Sequence, residues 1–429
     1  MNDDLELYIH IPFCLKKCNY CDFVSAPGSA EQIQRYVDAL CGEIRAAGAL
    51  FAGRRIISIY IGGGTPSILL PDQIGKISAA LSEGFDLARL HPKKHISVFS
   101  RKKEKRERAL RQYREESVEF SIECNPATVS QDLDQKIKAW KKAGINRVSI
   151  GLQSTDDKLL EVLGRLHSAS DFLDTYMRLR EAGFDNINID LMQAIPGQNL
   201  ASWQRTLAAA VSLKPEHISA YSLIIEDGTP FAAWYRPSGK DGQGGTVTLP
   251  DGRIYALPGE DEERRIYSYT KEVLEKVGYS RYEISNYCLP GYECRHNKGY
   301  WKRTDYLGLG LNSSSLIGDT RWKNTPDIEE YISKSSQPES IRRDTEILSV
   351  RDRMAEFMFL GLRLTEGVSK QEFFDAFGQS FDYVFGSVAA KLEDQMLLKE
   401  SVTEDGDIRV SLTDRGVDVS NTVMAEFMP

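Results

Sequence analysis

Three cysteines, Cys14, Cys18 and Cys21, stand in a CxxxCxxC array within the run Tyr8-Ile9-His10-Ile11-Pro12-Phe13-Cys14-Leu15-Lys16-Lys17-Cys18-Asn19-Tyr20-Cys21. Thiolates at this spacing can hold three irons of a cubic iron–sulfur cluster and leave the fourth iron open. An open iron binds a small molecule, so the array reads as a reactive cluster rather than a sealed electron carrier. The competing reading is a zinc knuckle. Zinc takes four ligands, usually as two close pairs, and no fourth cysteine lies nearby. His10 could complete such a site, but the alternation from Leu5 through Ile11 places it on a strand.

Further chemistry-bearing residues recur at regular intervals. Gly62-Gly63-Gly64-Thr65-Pro66 can bring backbone amides and carbonyls close to a polar ligand, or can be a plain tight turn. Glu123-Cys124-Asn125-Pro126, Gly151-Leu152-Gln153-Ser154 and Asp190 carry polar groups in otherwise apolar runs. Any one of these could be a structural cap. What they share is position. Predicted strands span Leu5–Ile11, Arg55–Ile61, Val118–Glu123, Arg147–Gln153, Asn186–Met192 and His217–Ile225. Predicted helices over Glu31–Ala46, Pro71–Leu81, Gln131–Ala143, Ser170–Ala182 and Leu200–Leu213 separate them. Repeated βα units imply a parallel sheet closing into a partial barrel, with ligands at the carboxyl ends of its strands. The cysteine loop and the polar residues then share one rim.

The chain has 429 residues, 41% hydrophobic, enough for two or three domains with a sizeable core. A net charge of −8 argues against general nucleic-acid affinity. No signal-peptide pattern and no bilayer-length apolar run is evident, so a cytoplasmic location is expected. Seven cysteines, three of them clustered, suit a reducing compartment; Cys41, Cys124, Cys288 and Cys294 are assigned no role.

These motifs together resemble the radical S-adenosylmethionine (SAM) superfamily. The nearest branch contains oxygen-independent coproporphyrinogen III dehydrogenases and the HemW haem chaperones. The resemblance is carried by Tyr8 to Phe23, Gly62 to Ser67, Ile122 to Pro126, Ser149 to Ser154, Leu163-Gly164-Arg165-Leu166-His167 and Asp190-Leu191-Met192. It continues through His296-Asn297-Lys298-Gly299-Tyr300-Trp301, Phe357 to Arg363 and Leu412 to Gly416. It implies a partial (β/α)6 barrel over 1–235, an extension over 236–342 with the HNxxYW element, and a mainly helical, winged-helix-like domain over 343–429. That last domain should cover the open side of the barrel as a lid or docking element.

The resemblance also implies a [4Fe-4S] cluster on Cys14, Cys18 and Cys21, with SAM on the open iron through its amine and carboxylate. One electron from the cluster would break a carbon–sulfur bond to give a 5′-deoxyadenosyl radical. Tyr8, the backbone around Tyr20, Gly63, Gly64 and Thr65 would line the methionyl side. Glu123, Gln153, Arg165 and Asp190 would hold the other polar groups: Arg165 suits a carboxylate, unless it is a surface cation, and Asp190 suits ribose hydroxyls.

Within the branch, the dehydrogenases carry a further cysteine two residues beyond the third ligand, where this chain has Phe23. The sequence is therefore most similar to the HemW subgroup, which implies haem as cargo and a respiratory haem protein as recipient. His296 could ligate haem iron, with Tyr300 and Trp301 packed on the macrocycle, or could be a hydrogen-bonded histidine beside a buried aromatic pair. His10 and His167 are competing candidates in the presumed SAM half. The alternative function is radical dehydrogenation of coproporphyrinogen III or action on a related tetrapyrrole.

Two positions depart from the pattern: Ser314 stands where the branch has a histidine, and Ala194 where it has a glycine, which would narrow a backbone approach to ligand. Two segments look inserted. His91–Glu116 contains the basic run Arg101 to Arg108, a solvated segment or a contact for an acidic partner or membrane surface. Pro237–Pro258 reads as a hairpin turning at Asp251-Gly252.

Overall fold

The structure, a computed structural model, describes residues 3–90, 116–129, 132–238 and 244–428. The basic run Arg101 to Arg108 lies outside the described residues.

Six parallel strands form the first half: β1 (Asp4–Ile11), β2 (Arg55–Gly63), β3 (Glu119–Cys124), β4 (Arg147–Gln153), β5 (Ile187–Gln193) and β6 (His217–Ser222). Helices Ala30–Leu50, Pro71–Gly84, Leu133–Ala143, Ala169–Glu181 and Leu200–Ser212 follow the first five strands. Their starts are encoded locally. Ser29, Ser168 and Asn199 each turn a side-chain oxygen onto a free amide of the first turn. The Leu133–Ala143 helix stops at Gly144, whose φ of 90° is the left-handed conformation glycine adopts freely.

Residues alternate in character along each strand. Leu5, Leu7, Ile9, Ile59, Ile61, Phe120, Ile122, Val148, Ile150, Ile187 and Ile189 belong to one buried apolar core with the helices. The residues between them are polar: Glu6, Tyr8 and His10 on β1, Ser58 and Tyr60 on β2, Glu119, Ser121 and Glu123 on β3. Arg147 and Ser149 on β4, Asn188 and Asp190 on β5, and His217, Ser219 and Tyr221 on β6 continue the series. Hydrogen bonds join many of these polar residues from strand to strand, among them Ser58 to Glu6, Tyr60 to Glu123 and Ser149 to Asp190.

The middle of the chain widens the same sheet. A small antiparallel sheet of β7 (Tyr235–Arg236), β8 (Thr246–Thr248) and β9 (Ile254–Ala256) contains the predicted hairpin, with Val247 opposite Tyr255. β10 (Ser280–Arg281) and β11 (Asn286–Cys288) extend the edge beyond β6. On the other edge β12 (Tyr306–Leu309) pairs parallel with β1, followed by β13 (Ser314–Ile317), β14 (Thr320–Asn324) and β15 (Arg342–Ile347). The twelve-stranded sheet therefore takes its outer strands from both sides of the 236–342 segment. β15 still belongs to it, and the first helix of the tail begins at Val350.

The tail packs the Val350–Gly361, Lys370–Phe377 and Phe381–Asp394 helices on a three-stranded sheet of β16 (Val368–Ser369), β18 (Ile408–Leu412) and β17 (Leu398–Val402). Its separate core includes Met358, Phe373, Phe381, Val410 and Phe427. It is tied to the sheet by Glu356, which accepts from Arg303 and Arg321, and by Arg363 stacked 4.3 Å from the Trp301 ring.

Candidate functional site

The cysteine loop leaves β1 and is pinned at both ends. Cys14 N–H donates to the Ala26 carbonyl, and Ala26 N–H to that of Pro12, at 3.1 and 3.0 Å. Between them, Asn19 donates to the Leu163 and Val162 carbonyls, both at 2.9 Å, while its own carbonyl accepts from Phe231. The three thiols are thus held on a loop anchored to β1, β4's following turn and the segment after β6. Burial pushes the Cys21 thiol up to about 11, and the neighbouring Cys18 and Cys14 add to the rise. Bound iron would reverse this, because a coordinating thiol is deprotonated.

The glycine run after β2 is more than a tight turn. Gly63 has φ +113°, and a Cβ there would lie 2.5 Å from the His10 ring. A Cβ on Gly64 would lie 2.7 Å from the Phe13 carbonyl and 3.0 Å from Cys14 Sγ. Both positions must therefore lack a side chain for the loop to seat against the cysteines. Thr65 hydroxyl approaches Cys14 Sγ at 3.4 Å.

Arg165 is no surface cation. Its guanidinium donates to the Gly151 carbonyl at 2.9 Å and reaches Cys18 Sγ at 3.8 Å. Tyr20 lies in the field of Arg165 and Asp190; burial raises its phenol and Arg165 opposes the rise. Gln153 ends β4 at φ +65° and accepts from Tyr221 at 3.1 Å. Asp190 accepts from Ser149 at 3.0 Å and Asn188 at 2.7 Å, and burial raises its carboxyl. Glu123 accepts from Tyr60 at 3.0 Å and Gly63 N–H at 3.1 Å; burial, then Asp190, pushes it up to about 7. Tyr8 donates to His10 Nδ1 at 3.0 Å, and His10 Nε2 donates to the Val24 carbonyl at 3.1 Å. Both nitrogens of His10 are thereby engaged away from the cysteines, which disfavours it as a fourth metal ligand.

Cys14, Cys18, Cys21, Tyr8, Tyr20, Gly63, Gly64, Thr65, Glu123, Gln153, Arg165 and Asp190 therefore meet on the carboxyl rim of β1 to β5. Tyr60 and Tyr221, not singled out from the sequence, join them. Both are legible afterwards from period-two alternation, as polar residues on the same strand face.

His296 lies deeper. It is 1% exposed, with Nδ1 2.8 Å from Ser58 Oγ and Nε2 3.0 Å from Tyr300 Oη. Tyr60 stacks on it at 5.1 Å, and burial, reinforced by Arg147, brings its imidazole down to about 3. It occupies the hydrogen-bonded position among aromatics, and direct haem ligation through Nε2 would require its contact with Tyr300 to break. His167, also buried, bonds the Leu152 carbonyl at 3.3 Å.

A cavity of about 580 Å3 opens beside the rim, within the usual range for small-molecule pockets of roughly 300–1,000 Å3. Tyr8 and Phe23 on one side, Tyr300 and Trp301 on another, and Phe359 and Leu360 of the tail helix line it. Ser314 lines it too. Ala194 has a left-handed φ of +57°, a conformation that glycine adopts more freely.

A parallel barrel with three rim cysteines, a seated glycine loop and converging acids defines a radical SAM protein. The radical SAM superfamily matches residues 8–210, and the HemN C-terminal domain matches residues 348–419. The chain belongs to the HemW family. It is 33% identical to the haem chaperone HemW of Lactococcus lactis subsp. lactis over 98% of this chain and 96% of that one. It is 34% identical to that of Bacillus subtilis, covering 98% of each, and 30% identical to that of Escherichia coli, covering 86% and 85%. Among solved structures, coproporphyrinogen III oxidase (HemN) from Escherichia coli shares the fold, with a TM-score of 0.75 and 23% identity over 99% of this chain and 89% of that one. Among the described residues, no helix is long and apolar enough to cross a membrane.

Proposed function

We propose that the protein is a haem chaperone that binds haem, delivers it to a haem-requiring respiratory protein, and carries a SAM-binding [4Fe-4S] cluster. The observation that carries this reading is near full-length similarity to proteins that are themselves haem chaperones. Phe23, 60% exposed beside the cluster loop, stands where the dehydrogenases have a cysteine.

Cys14, Cys18 and Cys21 would hold the cluster. When bound, cluster and SAM would supply one-electron reductive cleavage of a carbon–sulfur bond. The residues around them have distinct tasks. Gly63, Gly64 and Thr65, with Tyr8 and the backbone at Tyr20, would admit the methionyl group closely. Arg165 would pair with its carboxylate, Asp190 would accept from ribose hydroxyls, and Glu123 and Gln153 would hold the remaining donors. Residues 1–235, 236–342 and 343–429 serve as working domains. In a cytoplasmic location, the basic run within 91–116 would supply peripheral membrane or acidic-partner contact.

The decisive experiment is anaerobic incubation of cluster-loaded protein with SAM, a strong reductant and coproporphyrinogen III, measuring protoporphyrinogen and 5′-deoxyadenosine together. Haem carriage predicts no porphyrin product. Multiple-turnover formation of both products would make the protein a dehydrogenase despite Phe23.

A further inference from the structure

The cavity beside the rim is apolar over most of its wall and cationic in one place. Tyr8, Phe23, Trp301, Phe359 and Leu360 supply flat or aliphatic surface, and among the described residues that line it Arg321 is the one side chain with a fixed positive charge. Strand pairing shows how that charge is placed. Arg321 on β14 stands directly opposite Leu316 on β13, and Ser314 lies two residues before Leu316 on the same strand face. Ser314, Leu316 and Arg321 therefore share one face of this antiparallel pair, with Ser314 diagonal to Arg321, and all three line the cavity. Asn312, just before β13, extends the polar strip. Neither the Ser314 hydroxyl nor the Asn312 amide has a hydrogen-bond partner among the described residues, so both keep their donors for a ligand.

The charges behind this wall do not balance. Glu356 is the single carboxylate that receives both Arg303, at 2.7 Å, and Arg321. Two guanidiniums on one carboxylate leave one positive charge uncompensated, and Arg303 Nη2 is buried with no acceptor. Such a group is stable only when further acceptors complete it. Arg321 keeps 35% of its side chain accessible, so its remaining donors can reach a ligand. Asp22 of the cluster loop also lines the cavity, and its like charge turns a carboxylate away from the loop and toward Arg321.

We propose that the β13–β14 wall is a carboxylate subsite, in which Arg321, with Ser314 and Asn312 beside it, holds a propionate of the haem and so fixes which edge of the macrocycle meets these strands. The assignment rests on the haem-chaperone reading above. Haem is a flat apolar ring system with its carboxylates on one edge, which matches an aromatic cavity with one cationic wall. The planar guanidinium pairs with a carboxylate through two parallel N–H donors. Ser314 then has a task of its own: where the branch has a histidine, this chain places a small hydroxyl that donates to the carboxylate and leaves room beside the guanidinium.

The test is equilibrium titration of the full-length protein with ferric haem and, separately, with the same haem carrying both propionates as methyl esters, read by absorption and by quenching of tryptophan fluorescence. Wild type should bind haem roughly ten- to hundredfold more tightly than the diester, the range of one charge-assisted pair. Arg321→Gln should bring haem affinity down to that of the diester and leave diester affinity unchanged. Ser314→Ala should lower haem affinity roughly three- to tenfold, again without effect on the diester. Equal affinity of wild type for haem and diester, or a loss in Arg321→Gln that falls equally on both, would overturn the subsite and leave haem carriage standing. Wild type that binds neither would overturn the chaperone reading with it. Arg321 also ties the tail to the sheet through Glu356, so the fold of the variant is checked by circular dichroism. Should it fail to fold, the wild-type ratio of haem to diester affinity and Ser314→Ala decide.

Discussion

The two faces of the barrel strands differ more than any two domains of the molecule. Outward, Leu5, Ile59, Ile122, Ile150 and Ile189 pack on helices with nothing to titrate. Inward, one residue along, Glu6 accepts from Ser58, Glu123 from Tyr60 and Asp190 from Ser149. The outer face gains from removing apolar area from water, whereas the inner face is stable only while its buried polar groups keep their partners. One face holds the fold together, and the other holds groups poised to change protonation.

The strongest separation of the two should come from the cysteines. Serine at Cys14, Cys18 and Cys21 should reduce iron and acid-labile sulfide to background, with circular dichroism unchanged. On the outer face, Ile150→Ala should cost about 2–5 kcal/mol in urea denaturation and leave the bound-haem spectrum alone. Gly299→Ala forces a methyl against Glu6 on the inner face and should cost about 1–3 kcal/mol; combining it with Glu6→Ala should recover part of the loss, which Glu6→Ala alone cannot explain. A gentler probe is pH. Glu123 is raised from an ordinary value of 4.5 to about 7, so the folded state binds more protons than the unfolded state across that window. Stability from this group is therefore fully present below about pH 4.5 and is lost as pH rises through 7. Glu123→Gln should flatten the decline in denaturation midpoint, though not fully, because burial raises Glu43 to about 7 as well. The smallest effect should be Ala194→Gly, which relieves a left-handed backbone and should stabilise by about 1 kcal/mol.

The cysteine array, the rim glycines and the order of strands and helices were all legible in the chain, because each depends on spacing of a few residues along one element. β4 was read at its observed bounds, Arg147–Gln153. Legibility failed where contacts are distant. That β12 pairs with β1 across three hundred positions follows from closing the sheet. The burial of His296 was likewise undetermined, since both readings of the HNxxYW element fit its residue types equally. The left-handed backbone at Ala194 was not legible either, because residue type alone does not set a backbone angle.

Local residue spacing determined a cysteine-array loop and a parallel βα series, since backbone geometry converts such spacing directly into shared faces and rims, and the motifs together carried the resemblance to the radical SAM superfamily. Tertiary structure decided what stands behind each functional group. It set Glu6 and Ser58 against His296, Arg165 against Cys18, and a tail helix against the cavity. Those pairings join residues from far parts of the chain, and only packing, which fixes distance irrespective of sequence separation, brings them within hydrogen-bonding reach.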